Sequence, residues 1–289
     1  MPDEKTPELP QSNPDAPEGS DAVAAKPKGL IGRFLALPPD SVPKTIFTAV
    51  SLCIVASMVV SSAAVALRPT QAENALRDKQ INILQVSGVY DPDVPIQEAF
   101  AAFEPHVLEL DSGFFADDQF DPATFDDRAA AEDPELSIAL EDDPASIIRQ
   151  SRFMTVYLLR DEAGDIDRVI LPIHGYGLWS TLYGFVAIEE NGNDIFGLQF
   201  YQHAETPGLG AEVDNPRWRA QWNGKQISDE TGTMQITVAR VPPAAGAEYH
   251  VDSLSGATLT SRGVDNLVRF WLGEEGYAPF LTNLANGEI

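Results

Sequence analysis

FMTVYLLRDEAGDIDRVILPIHGYGLWSTLYGFVAIEENGNDIFGLQFY, residues 153–201, alternates short apolar runs with clusters of turn formers. The runs FMTVYLL (153–159), VILPI (169–173), LYGFVAI (182–188) and IFGLQFY (195–201) are rich in β-branched and aromatic residues. Gly, Asn, Asp or Pro separate them, which is the pattern of successive strands. A further run, MQITVARV (234–241), has the same character. Together they predict a mainly antiparallel sheet. Downstream, Val264, Leu267, Val268 and Trp271 fall on one helical face, which predicts a helix over about Gly263 to Leu272. No internal repeat is visible. The fold class is therefore α+β, with the sheet domain over residues 151–289.

Toward the N-terminus, Thr45 to Leu67 is a run of 23 residues without a charge. As a helix it would span about 34 Å at 1.5 Å per residue, against a hydrocarbon core of roughly 30 Å. One transmembrane helix over 45–67 is expected. Ala64, Val65 and Ala66 resemble a signal-peptide cleavage site, but the apolar run exceeds a signal core and the preceding region is long and acidic. Lys26, Lys28, Arg33 and Lys44 precede the span and Arg68, Arg77 and Lys79 follow it, a bias that favours the N-terminus inside. Ala49, Cys53, Ser57 and Ser61 recur every four residues on one face, where another helix could approach closely.

Residues 1–44 open with a Pro-, Asp- and Ala-rich stretch poor in large apolar side chains, and read as a disordered cytoplasmic tail. After the span, TQAE at 70–73 has capping-box spacing, and Ala72, Leu76, Lys79 and Ile83 continue at helical intervals, which predicts a separate short helix. Between Asp91 and Asp143 stand 17 acidic residues and a single basic one, Arg128. This stretch reads as a solvated insertion, so residues 68–150 are expected to be a connecting helix and an acidic insertion.

Composition narrows the chemistry. The net charge is -25, which repels nucleic acid at long range and excludes it as a partner. Cys53 is the only cysteine, so no internal disulfide and no CxxC redox or zinc motif can form. His106, His174, His203 and His250 lack HExxH spacing and read as polar residues near loops. The carboxylates show no EF-hand spacing either, and no metal site is expected.

The segment that carries chemistry is SGATLTS, Ser255 to Ser261, with Asp252 three residues before it. Gly256 and Ala257 remove bulk beside the hydroxyl of Thr258, so a large group could approach it closely. The segment runs into the predicted helix, whose N-terminal N–H groups favour a phosphate. A plainer reading is a helix-capping loop with Thr260 or Ser261 accepting from the first turn. Two glycine-rich segments, HGYGLWSTLYGF (174–185) and HAETPGLGAEV (203–213), offer sharp turns beside Leu178, Trp179 and Leu209, which suit an aromatic ligand. Neither matches GxGxxG, and Ser255 lacks GxSxG, so a Rossmann site and a serine-hydrolase elbow have no support.

Asp252, Ser255, Gly256, Ala257 and Thr258 resemble the attachment signal of membrane flavoproteins that carry FMN as a phosphoester on threonine. Together with LRPTQAENALRDKQINIL, PIHGYGLWSTLYGF, HAETPGLGAEV, WNGK and VDSLSGATLTSRGVDNLVRFWLG, they make the chain similar to the C subunits of sodium-translocating NADH:quinone oxidoreductases. The resemblance covers most of the chain outside the first forty residues and parts of the acidic stretch.

It implies an inner-membrane protein with a single anchor and a periplasmic FMN-binding domain, and FMN attached to Thr258 by a flavinyltransferase that uses FAD as donor. On the same resemblance, Asp252 belongs to the signal read by the transferase and Ser255, Gly256 and Ala257 line the phosphate. Leu178, Trp179, Ser180, Thr206, Gly208, Leu209 and Gly210 border the isoalloxazine ring. The protein would relay single electrons within a multi-subunit complex, with NADH and quinone bound elsewhere, no catalytic acid, base or nucleophile of its own, and no NADH oxidation when alone. The alternatives are the G subunit of the related ferredoxin-coupled complex, which shares ETPGLG and SGAT, and an anchored assembly module that carries no flavin.

Overall fold

The computed structural model describes residues 29–38 and 41–289. The described residues divide into two units, one ending at Arg68 and the other running Pro69–Ile289. The expectation of a disordered tail falls largely outside the described residues, but within that region Leu30–Leu35 forms a short helix, α1. In the first unit Phe34 and Phe47 make an edge-on ring contact at 4.7 Å.

Helix α2 runs Val42–Val86, with Pro69 inside it. The short helix expected to begin at Thr70 is therefore a continuation, and TQAE is no cap. Extending an existing helix adds a bond for each residue fixed, whereas starting one costs a nucleus. The loss at Pro69 is confined to one N–H and local crowding, and good helix formers flank it. Among the described residues, α2 is the one helix long and apolar enough to cross a membrane.

In the second unit, the last turn of α2 buries Ile83, Leu84 and Val86. It is followed by α3 (Ile96–Phe100), β1 (Phe103–Glu109), β2 (Phe114–Phe115), α4 (Asp127–Glu132), β3 (Ser137–Ala139) and β4 (Arg149–Ser151). The runs quoted above form β5 (Phe153–Arg160), β6 (Ile166–Tyr176), β7 (Thr181–Glu189) and β8 (Asp194–Gln202). After these come α5 (Pro216–Arg219), β9 (Lys225–Gln226), β10 (Thr237–Ala239), β11 (His250–Asp252), α6 (Thr258–Trp271) and α7 (Ala278–Ala285). Seven strands make one sheet in the order β2-β1-β5-β6-β7-β8-β9. Every pairing within it is antiparallel.

The central strands are apolar almost throughout because both faces of the sheet are covered. Val156, Leu158, Val169, Leu171, Val186 and Ile188 join a core that includes Val264, Leu267 and Trp271 of α6 and Phe280 and Leu281 of α7. Tyr157, Leu159, Ile170, Phe185 and Ala187, the alternate positions, join Ile83, Leu84 and Val86 of α2. This is the period-2 alternation of strands serving two cores.

Three expectations change. Part of the acidic stretch is structural: β1 pairs with β5 along its length, and Val107 and Leu108 are fully buried. Its alternation was hidden by Glu104, Pro105, His106 and Glu109 among the apolar residues. Arg128 sits on α4 with its guanidinium 3.7 Å from the Tyr183 ring centre, and donates to Tyr201 and Gln202. Of the run 234–241, only β10 is strand, and it pairs in parallel with β11 outside the main sheet. Three histidines are strand residues, at His106 in β1, His174 in β6 and His250 in β11.

Candidate functional site

Helix α6 begins at Thr258, five residues before the predicted start, with Ala257 as its N-cap residue and no side chain capping it. Ala carries no acceptor, so the first-turn N–H groups lack the partner that Ser, Thr, Asp or Asn would supply. Thr260 and Ser261 are not caps. Both are buried inside the helix. The Ser261 hydroxyl donates to Ala257 O and accepts from Leu254 N, both at 2.9 Å, and so fastens the incoming loop to the helix.

Gly256 turns the loop with φ 78, a conformation that suits glycine, and a side chain there would stand 3.3 Å from Leu209 Cδ2. Ser255, Gly256 and Thr258 are exposed, while Ala257 is buried. A phosphate ester at Thr258 would thus meet small neighbours, free helix N–H groups and the positive end of a dipole.

The helix is held firmly. Asp265 accepts from Thr237 Oγ1 at 2.9 Å and from Val238 N at 2.7 Å, tying α6 to β10. At its far end the Trp271 indole N–H donates to His174 O at 2.6 Å. Gly263 lets α6 lie directly on β6, since a Cβ would stand 2.5 Å from Tyr176 O and 3.0 Å from Gly177 Cα.

The glycine-rich segments converge on this helix start through Glu205, which is only 5% exposed. One carboxylate oxygen accepts from the backbone N–H groups of Leu178 and Trp179, each at 2.9 Å. The other accepts from Thr260 Oγ1 at 2.7 Å. Burial raises the carboxyl pKa, but the N–H of Trp179, the Thr260 hydroxyl and the N–H groups of Leu178 and Ser180 outweigh it and leave the group below the ordinary carboxylate range. Glu205 is therefore a buried anion. Gly177 and Gly210 wall it in: a Cβ on Gly177 would be 2.6 Å from its Oε1, and one on Gly210 would strike Oε2 and Thr260 Oγ1.

Leu178, Trp179 and Leu209 are 37%, 65% and 45% exposed, so Trp179 is no core residue. Ser180 Oγ accepts from Ala204 N at 2.7 Å, linking the two loops again. Thr206 O accepts from Leu209 N and Ala211 N, both at 3.1 Å, to form the turn that carries exposed Gly208. Asp252 has an exposed carboxylate. Its backbone is fixed by Trp218 Nε1 at 2.8 Å and Gln221 Oε1 at 2.9 Å.

The structure thus brings Gly256 against Leu209 and Gly210 against Thr260, and ties the backbone of Leu178 and Trp179 to Thr260 through Glu205. Sequence reasoning missed Glu205 and the structural use of Thr260, Gly177 and Gly263. The available signal was an acid inside a Gly-rich turn; that Gly177 and Gly210 serve space and not a positive φ is visible only in the structure. A separate cavity of about 560 Å³, lined by Arg128, Ile148, His174 and Tyr183 among others, contains none of the residues around Thr258.

An exposed threonine on an uncapped helix start, with exposed apolar side chains on loops tied to the same helix, is an arrangement that a phosphorylated aromatic cofactor would fit. The FMN-binding domain family matches residues 177–273, a stretch that contains Leu178, Trp179, Glu205, Leu209 and Thr258. The chain belongs to the C-subunit family of Na(+)-translocating NADH-quinone reductases. It is 49% identical over 258 residues to the C subunit from Pseudomonas aeruginosa, covering 86% of this chain and 98% of the relative. The C subunit from Yersinia pestis is 47% identical, covering 86% and 96%. The crystal structure of Shewanella oneidensis NqrC superposes with a TM-score of 0.67 at 35% identity, covering 73% of this chain and 98% of that one.

Proposed function

We propose that this protein is the electron-carrying C subunit of a Na(+)-translocating NADH:quinone reductase, holding FMN as a phosphoester on Thr258. The observation that carries this reading is the exposed Thr258 hydroxyl on an uncapped helix start, with Leu178, Trp179 and Leu209 exposed on segments tied to the same helix. Thr258 Oγ1 is the acceptor of the FMN phosphoryl group. Ser255, Gly256 and Ala257 give the phosphate room, and the first-turn N–H groups of α6 neutralise it. Leu178, Trp179, Ser180, Thr206, Gly208, Leu209 and Gly210 border the ring. Asp252, exposed on a fixed backbone, is read by the flavinyltransferase.

FMN when bound supplies reversible electron transfer, and the chain supplies position and electrostatics. The apolar span of α2 anchors the protein in the membrane, and the sheet domain stands on the periplasmic side. Covalent attachment suits that side: where free cofactor is scarce, a tether substitutes a high effective concentration for a vanishing one. Electrons arrive from and leave to neighbouring subunits, so the protein alone oxidises no NADH. Family membership favours the quinone-reductase assignment over the ferredoxin-coupled G-type protein.

Denaturing electrophoresis tests the assignment. Made beside a periplasmic transferase, the denatured band should keep flavin fluorescence, and Thr258→Ala should lose it. Mass analysis of the peptide from Asp252 to Arg262 should then place the added FMN on Thr258. Fluorescence persisting in the variant would refute the site, and a band flavinylated by a transferase confined to the cytoplasm would refute the periplasmic placement.

A further inference from the structure

Three segments border the region around Thr258, and one buried side chain touches all of them or their immediate neighbours. Glu205 belongs to the turn that carries Thr206 to Gly210. Its carboxylate takes the N–H groups of Leu178 and Trp179 and the hydroxyl of Thr260, two residues beyond Thr258. Its own backbone N–H donates to His203 Nδ1 at 3.2 Å, and His203 Nε2 lies 2.8 Å from Asp214. Such a joint is costly. Burying an ionised carboxylate is tolerable only when hydrogen bonds replace water. Here three donors do so in the good range for charge-assisted bonds. Glycines at 177 and 210 keep the space free.

If only mechanical closure were required, a neutral side chain would serve with less desolvation. A fixed anion next to Leu178 and Trp179 does something more: held out of water at 5% exposure, its own charge is poorly screened and its field opposes the arrival of further negative charge. We propose that Glu205 is the positioning residue of the flavin site, fixing the 178–179 loop against α6 and, through its fixed charge, holding the flavin's reduction potential low. The inference rests on the reading that FMN is attached at Thr258.

The experiment uses the full chain, solubilised in detergent after expression beside the transferase. Glu205→Gln removes the charge and keeps the shape. It should be flavinylated like wild type, and its flavin should be easier to reduce by about tenfold in equilibrium constant, roughly 59 mV for a one-electron step. Thr260→Val keeps the charge but strips one donor from it, so its flavin should become harder to reduce. In the flavin-free Thr258→Ala background, Glu205→Gln should speed hydrogen exchange at the amides of Leu178 and Trp179.

Potentials unchanged from wild type in both variants would overturn the proposal. So would a folded Glu205→Gln protein that takes up no flavin, because the residue would then serve attachment. If Glu205→Gln does not fold, the sign of the Thr260→Val shift decides alone. A wild-type band without flavin would instead defeat the attachment reading itself, before either variant is measured.

Discussion

His174 shows how far one side chain's surroundings can depart from what its neighbours in sequence suggest. Its ring stacks on Tyr183 at 5.5 Å and tilts against Trp271 at 4.9 Å. Burial, aided by the nearby Arg128 guanidinium and partly opposed by Asp143, lowers its pKa from 6.5 to about 4. The unfolded chain therefore binds a proton that the folded one refuses between these values. Stability from this residue is complete above pH 6.5 and is lost as pH falls toward 4. At about 1.36 kcal/mol for each pH unit, the loss is at most about 3.4 kcal/mol. Denaturant titrations at pH 7 and pH 5 should show wild type losing more stability on acidification than His174→Gln; equal losses would remove His174 as the cause. None of this was legible from HGYG, because a histidine in a glycine-rich stretch reads as a loop residue. Thr258 was legible, since its small neighbours and the following helical period are written in consecutive residues.

Among the elements, α6 joins the site to the sheet, and its close seat on β6 depends on Gly263. In a helix interior Ala normally exceeds Gly by about 1 kcal/mol. Here a Cβ would meet the Tyr176 carbonyl oxygen at 2.5 Å and Gly177 Cα at 3.0 Å, both backbone atoms that no rotamer can move. Sterics should win: Gly263→Ala is expected to destabilise by about 1–3 kcal/mol as an overpacked contact. Urea denaturation would read this as a lower midpoint, and a midpoint raised toward the propensity value would show that β6 yields. The apolar face of α6 was readable from Val264, Leu267, Val268 and Trp271, whereas its first turn was not. TLTS has no apolar period, and an Ala N-cap gives no start signal. The opposite error occurred at α2, where TQAE has every mark of a start but the helix continues through Pro69.

For the molecule as a whole, the decisive property is that the sheet is covered on both faces, and one cover comes from the end of α2. The strands β5 to β8 could be read directly as apolar runs separated by turns, and the order in which the sheet takes them follows the tendency of adjacent runs to pair as neighbours. The edge strand β1 could not: it comes from the acidic stretch some fifty residues before its partner β5, and pairing at that separation leaves no local mark. The second cover has a measurable consequence. Ile83 and Leu84 are fully buried and Val86 nearly so, and Arg168 donates to Ser87 O while its guanidinium lies 3.8 Å from the Phe196 ring centre. At roughly 1.5–3 kcal/mol for each buried aliphatic side chain, these three contribute about 5–9 kcal/mol. That is comparable to the 5–15 kcal/mol that holds a typical domain together. A chain beginning at Pro69, where the second unit starts, retains this cover and lacks the apolar span. It should be soluble without detergent and unfold in one cooperative transition. A chain beginning at Gly88 removes all three side chains and should show no such transition at 25 °C, because the face formed by Tyr157, Ile170 and Phe185 is then open to water. Calorimetry on the two chains separates the outcomes. A cooperative melt from the shorter chain would mean that the sheet closes on α3 alone and that the end of α2 is dispensable to the fold.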